Sequence, residues 1–270
     1  MKYCYHTHTT RCGHATGTDE EYVLSAIQAG FKHLGFSDHA FLPNLSQPGI
    51  RGDYSEFDEY VNSINALKEK YKDQINIYVG FEAEHFPPFM HYYRYLLENK
   101  KIDYLVLGQH FDWLKINKVG ESFFACRTKE DIFRYVEFVT VAMDSGLFKI
   151  FAHPDICFSG YEPQWDEHCI EATKMICKSA IKNNVVLEIN GCGIRRGYGF
   201  RNSDRYQYPY HEFWKEVAKT KAKVMIGCDA HDPSHFQDDS INKALQFAQE
   251  CGVTLLTDEE AGNLIIKQKR

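Results

Sequence analysis

Tyr104-Leu105-Val106-Leu107-Gly108-Gln109-His110 is apolar on four successive residues and then ends in a glycine, an amide and an imidazole. A strand with one wet face alternates apolar and polar residues. A run that is apolar on successive residues suits a strand covered on both faces, as in a parallel sheet flanked by helices. Val185-Val186-Leu187 reads the same way. Extending the search in both directions predicts strands over Lys2–His6, His33–Asp38, Ile75–Glu82, Asp103–His110, Phe148–His153, Val185–Asn190 and Lys223–Asp229.

The intervals between them are helical in pattern. Helices are predicted over Asp19–Ala29, Tyr54–Tyr71, Phe89–Asn99, Lys129–Ser145, Glu167–Lys182, Tyr210–Lys219 and Ser240–Gln249. Thr18 with Glu21 forms a capping box, Thr128 with Asp131 makes a similar start, and Gly30 is a good C-terminal stop. A last short strand, Val253–Thr257, and a helix, Glu259–Lys267, close the chain. Strands alternating with helices imply parallel pairing and right-handed crossovers. Seven such units in 270 residues predict one α/β domain over residues 1–270, a distorted (β/α)7 barrel. A doubly wound sheet is the alternative. Neither GxGxxG nor GxxxxGK[ST] follows the first strand, which argues against a nucleotide-binding version of that sheet.

What ends each strand carries the chemistry. The first ends in His6-Thr7-His8, the second in Ser37-Asp38-His39, and the third in Gly80-Phe81-Glu82. The fourth ends in Gly108-Gln109-His110, the fifth in His153-Pro154-Asp155, and the seventh in Asp229-Ala230-His231. In a parallel barrel these ends share one face, where active sites are built. Six strands thus deliver imidazoles and carboxylates to one mouth. His6 and His8 point the same way if the strand persists, as do Asp229 and His231. Imidazole suits zinc, iron and manganese, and added carboxylates favour the harder ions. Glu82 can bridge two metals. Glu84, two residues on, competes for that role, and Asp38 is placed to orient its neighbours. Apart from His14, in a Gly-rich loop, the other six histidines, including His235, stand outside this pattern.

The formal net charge of −6 is opposite to the basic balance that long nucleic acid demands, so a small substrate is expected. No run of eighteen apolar residues is present to span a membrane. The nine cysteines form no CxxC pair and fit a reducing, cytoplasmic setting.

His6-Thr7-His8-Thr9, followed by Arg11-Cys12-Gly13-His14, resembles the opening motif of the PHP (polymerase and histidinol phosphatase) family. The later Ser-Asp-His, Gly-x-Glu, His-Pro-Asp and Asp-Ala-His motifs occur in the family's order, and the resemblance runs from Lys2 to about His235. It implies a distorted (β/α)7 barrel holding two or three divalent metal ions (Zn, Mn or Fe). The first metal would take His6, His8, Glu82 and Asp229. The second would share Glu82 and add His110 and His153. The third would take His14, His39 and His231.

Within the family, the length resembles that of the monofunctional histidinol-phosphate phosphatases. The segment Leu187-Glu188-Ile189-Asn190-Gly191-Cys192-Gly193-Ile194-Arg195 is similar to their sixth-strand motif, but departs from its Asn-Thr-small-Gly form at Gly191 and Cys192. The resemblance implies hydrolysis of a small phosphate ester, L-histidinol phosphate first, by attack of a metal-bridging hydroxide, with Glu82 and Asp229 catalytic. Another small ester or nucleotide, and a non-catalytic metal-stabilised interaction module, are the alternatives. An arginine is needed on the phosphoryl oxygens. Arg195, on the loop after the sixth strand, is the first choice and Arg196 the second, ahead of Arg127 and Arg11. Asp155 is on the right loop for a general acid. Phe41–Tyr54 reads as a lid loop, and Tyr161, Tyr198, Phe200 and Tyr206 offer stacking surfaces.

Overall fold

A computed structural model describes residues 1–113, 122–161, 165–199 and 204–266. Seven strands pair side by side in chain order. They are β1 (Tyr3–Cys4), β2 (His33–Phe36), β3 (Asn76–Ala83), β4 (Tyr104–Leu107), β5 (Ile150–Phe151), β6 (Val186–Asn190) and β7 (Val224–Gly227). Every pairing is parallel. Beyond the ladder, Thr7 bridges Ala230 in parallel, and the His8 N–H donates to the Ala230 carbonyl at 2.9 Å. The sheet therefore curls into a nearly closed barrel, its two edge strands meeting at the mouth.

Helices cover the outside. They are α1 (Asp19–Gln28), α2 (Phe57–Lys70), α3 (Met90–Glu98), α4 (Lys129–Asp144), α5 (Glu167–Asn183), α6 (Gly191–Arg195), α7 (His211–Ala218), α8 (Ser240–Glu250) and α9 (Asp258–Gly262). Thr18 with Glu21 and Thr128 with Asp131 cap α1 and α4 reciprocally, as their spacing predicts. Two expectations fail. Val253–Thr257 is no strand: Leu255 makes a single bridge to Val224. The segment after β6, read as a loop, winds into α6, with the Asn190 side chain accepting from the Gly193 N–H. Lys267 of the predicted last helix, and Phe200, lie outside the described residues.

The barrel interior is filled rather than open. Tyr3, Tyr5, Tyr104, Val106, Ile150, Val186 and Met225 pack there, and Ala261 of α9 with Ile265 just beyond seals the lower end. Tyr104 is the central filler. Its hydroxyl donates to the carbonyls of Tyr5 and Phe36, at 2.8 and 3.2 Å. A Cβ at Gly35 would lie 2.2 Å from that hydroxyl, and one at Gly80 would lie 2.5 Å from the ring. Two glycines on neighbouring strands thus make room for one tyrosine. Above this plug the barrel axis is taken by polar groups.

Candidate metal centre

Side chains alternate across a strand, and this carries Glu82 and Glu84 from β3, and His110 from β4, to the barrel axis. Elsewhere alternation fails. Tyr3 and Tyr5 face the barrel interior, so a regular strand would turn His6 outward. The ladder stops at Cys4, whose thiol donates to the His6 carbonyl, and the irregular backbone brings both His6 and His8 inward. His153 and Asp229 adopt left-handed backbone, φ 35° and 47°. Side chains other than glycine rarely hold that conformation, and it clusters at functional sites. Here it aims an imidazole and a carboxylate into the mouth.

Two buried carboxylates are the hubs. Around Glu82 stand His153 Nε2 at 3.0 Å, His39 Nδ1 at 3.1 Å, His110 Nε2 at 3.4 Å, and His6 and His8 Nε2 each at 3.5 Å. Around Asp229 stand His8 Nε2 at 3.2 Å, His231 Nδ1 at 3.4 Å and His6 Nε2 at 3.5 Å. Burial pushes the Glu82 carboxyl up, but His110, His6 and His39 outweigh it and hold the group well below the usual range. Asp229 is lowered in the same way by His6 and His8. Both are therefore anionic. His14 is exposed at the rim, its ring tilted against that of His231 with centroids 4.8 Å apart. His39 lies between the groups implied for two metals, touching Glu82 while its ring is 5.5 Å from that of His14.

The imidazoles are oriented from behind. His6 Nδ1 lies 3.0 Å from both oxygens of Glu188, and His110 Nδ1 lies 3.3 Å from Glu84. His231 Nδ1 faces the Asp229 carbonyl at 3.1 Å, and His14 Nδ1 faces the Cys12 carbonyl at 3.2 Å. An acceptor at Nδ1 fixes the proton there and leaves Nε2 as a lone pair, the arrangement that metal-binding histidines use. His6 and His8 then hold two Nε2 atoms 3.2 Å apart, and Asp229 Oδ1, though buried, has no hydrogen-bond partner. Against the effect of burial, the carboxylates raise the His6 and His8 imidazoles, so without metal protons sit among these groups. Nitrogens and anionic oxygens crowded this closely fit divalent cations that would take the place of those protons. Three sets, His6/Glu82/His153, His6/His8/Asp229 and His8/His39/Glu82, each bring one ligand atom per residue within 4.8 Å of the others.

Three supporting residues were not assigned these roles from the sequence. Glu188 sits in an apolar strand, and its space exists because residue 227 is glycine: a Cβ there would lie 1.9 Å from Glu188 Oε2. Asn190 donates to Glu188 at 2.7 Å and to Asp229 at 3.1 Å. His235 lines the mouth, accepting the His231 N–H on Nδ1 at 3.1 Å. Asp38 does orient its surroundings: it accepts from Thr9 and from the His39 N–H, and lies 3.5 Å from His8.

Arg195 and Arg196 both line the cavity but are held differently. Arg195 donates to Ser240 and to the carbonyls of Cys228 and Asp229, so its guanidinium holds the loop that presents Asp229. Arg196 lies over the rings of Tyr208 and Phe124, 5.5 and 5.8 Å from their centroids, on the cavity wall. Arg11 pairs with Asp19 and Glu59 instead of reaching in, and the Arg127 backbone N–H serves Asp131 at the start of α4. Asp155 does not line the cavity. It accepts from the Tyr210 N–H at 2.6 Å and the Trp214 indole at 3.1 Å, and so does not fit the general-acid expectation.

Phe41–Tyr54 is a packed wall more than a lid. Phe41 and Leu42 are buried, and only its tip, Gly49 and Ile50, reaches the cavity. Arg51 pins it, donating to Gln47, to the Ala40 carbonyl and to Glu84. Both members of the Arg51–Glu84 pair are buried, so Arg51→Ala leaves a buried carboxylate with His110 alone against it. The expected cost is about 3–5 kcal/mol, read as a fall in the urea midpoint without a change in its slope.

The cavity above the hubs measures about 540 Å³, within the size range of small-molecule sites. Phe111, Phe124, Ile50 and Tyr208 give it an apolar upper wall.

Residues 5–191 match the PHP domain. The chain belongs to the PHP family. It is 26% identical over 233 residues to the "Probable histidinol-phosphatase" of Deinococcus radiodurans, covering 84% of this chain and 85% of that one. It is 24% identical over 253 residues to the histidinol-phosphatase of Bacillus subtilis, covering 84% and 92%. Among solved structures, the histidinol phosphate phosphatase of Lactococcus lactis, complexed with zinc, L-histidinol and phosphate, superposes with a TM-score of 0.68 at 20% identity, covering 94% of this PHP chain and 95% of its own. At that identity the likeness is one of fold. Among the described residues of this PHP protein, no helix is long and apolar enough to cross a membrane.

Proposed function

We propose that this chain is a metal-dependent phosphomonoesterase that hydrolyses L-histidinol phosphate to L-histidinol and phosphate in the cytoplasm. One observation carries the metal reading: imidazoles anchored through Nδ1 turn their Nε2 atoms onto two anionic carboxylates at the floor of a small cavity. The names of the relatives support the substrate.

His6, His8, Glu82 and Asp229 would hold one metal. Glu82, His110 and His153 would hold a second, and His14, His39 and His231 a third, with zinc, manganese or iron as candidates. Such a cluster supplies Lewis acidity and lowers the pKa of water towards about 7. The chain's own residues do the rest. Glu82 and Asp229 would neutralise the cations. Arg196 neutralises a phosphoryl oxygen at the wall, a role Arg195 is too engaged to share fully. Phe111, Phe124 and Tyr208 offer faces on which the substrate's imidazole stacks. His235, its Nδ1 occupied, carries its proton on Nε2 at the rim.

The test is phosphate release from L-histidinol phosphate and from p-nitrophenyl phosphate by metal-reconstituted protein, with and without chelator. Histidinol phosphate should lead by orders of magnitude in kcat/KM, and chelator should abolish both. Equal turnover of the two esters, or preference for nucleotides, would leave the metal chemistry standing and sink the substrate. Within this reading, Arg196→Met should lower kcat/KM by on the order of 10²-fold, the scale of losing one charge-stabilising donor. An unchanged kcat/KM in Arg196→Met, at unchanged metal content, would return the phosphate to Arg195.

A further inference from the structure

We propose that Cys192 is a metal ligand, joining His231 at the third position of the cluster, beside Asp229 of the first, and making that position selective for a soft divalent ion such as zinc. This rests on the metal reading above and names the class of metal one part of it takes.

Cys192 lies on α6, at one of the two positions where the sequence departs from the sixth-strand motif it resembles. Its Sγ, a carboxylate oxygen of Asp229 and a ring nitrogen of His231 all lie within 4.8 Å of one another. Two partners are poised for a cation independently of the thiol. Asp229 is 5% exposed, and its Oδ1 has no hydrogen-bond partner while Oδ2 accepts from Asn190. His231 has its Nδ1 on a backbone carbonyl. The thiol lines the cavity and is half-buried, whereas the other eight cysteines are buried. Cys12 also comes within 4.8 Å of His8 and His231, but it is fully buried and does not line the cavity.

Burial raises the Cys192 thiol pKa, with Arg196 and Arg195 opposing, so without metal the sulfur keeps its proton. Coordination replaces that proton: the S–H bond breaks, a sulfur–metal bond forms, and one proton leaves to solvent. Thiolate is a soft donor that favours zinc over manganese, whereas the Glu82, His110 and His153 set offers nitrogen and oxygen alone.

The experiment titrates cobalt(II) into the metal-stripped full chain, recording absorbance and bound cobalt together. Expected are visible d–d bands and, in step with occupancy, a sulfur-to-cobalt charge-transfer band in the near ultraviolet that is missing in Cys192→Ser. Iodoacetamide followed by peptide mapping should label Cys192 slowly in the metal-free protein, through its minor thiolate fraction, and spare it when zinc is bound, a readout that needs no variant. Cobalt that binds with d–d bands but no charge-transfer band overturns the thiolate ligand and leaves the metal centre intact. A band that survives Cys192→Ser assigns the sulfur to Cys12 and overturns the proposal equally. Zinc that leaves the labelling of Cys192 unchanged also counts against it. If no cobalt binds at all, the metal reading itself falls and takes this inference with it.

Discussion

Glu82→Gln should reduce phosphatase turnover by roughly 10³-fold or more while leaving the fold intact. The carboxylate sits among five imidazoles and reaches each within 3.5 Å. Glutamine keeps the shape but replaces an anionic oxygen by an N–H₂ group, which cannot accept a metal and faces ring nitrogens with a donor. Several kcal/mol of charge stabilisation are lost with the metal, and each 1.36 kcal/mol is a factor of ten in rate. Metal content measured on the purified variant should fall in parallel, and circular dichroism should not change. Gly108→Ala tests the same carboxylate without touching it, because a Cβ there would lie 1.9 Å from Glu82 Oε1 and 2.6 Å from its Cγ. That clash cannot be relieved by swinging the tip alone, so Glu82 must leave the axis. Full activity and full metal content in either variant would remove Glu82 from the centre of the mechanism.

Much of this site is legible in the strand ends. Imidazoles and carboxylates following apolar runs, as in Leu107-Gly108-Gln109-His110, announce a functional mouth because such residues gain nothing from sitting at the end of a buried strand otherwise. The barrel is legible for the same reason: runs apolar on successive residues need cover on both faces. Other features leave no mark in the sequence. The left-handed backbone of His153 and Asp229 depends on tertiary restraint, since even Asp and His, which visit it more than most side chains, hold it at few positions. Glu188 reads as an interruption in an apolar strand; its meaning depends on His6 from the opposite end of the β1–β7 order and on the missing side chain at Gly227. Arg195 and Arg196 are adjacent in sequence and equal in charge, yet α6 turns one towards backbone carbonyls and the other over aromatic rings. Val253–Thr257 has a strand's composition, but beyond Leu255 bridging Val224 it finds no ladder.

Glu188→Ala should weaken metal binding or activity by about 10–100-fold, the usual consequence of removing the acceptor behind a metal-binding imidazole. His6 would lose the two oxygens that hold its proton on Nδ1, and Asn190 would lose one of its two acceptors. Gly227→Ala should act on the same interaction from the other side. Its new methyl would lie 1.9 Å from Glu188 Oε2, 2.3 Å from Cδ and 2.8 Å from Cγ, displacing the whole side chain and costing about 1–3 kcal/mol as overpacking. The double variant separates cause from coincidence. With Glu188 already reduced to alanine, the methyl at position 227 enters vacated space, so its stability cost should largely vanish. The loss of metal affinity should then be no greater than in Glu188→Ala alone, because contacts in one network do not add. Denaturant midpoints and zinc competition titrations on the four proteins of this cycle read both quantities. Losses of affinity that simply multiply in the double variant would mean that Gly227 acts on the centre through something other than Glu188, and an unchanged affinity in Glu188→Ala would make the carboxylate behind His6 a bystander.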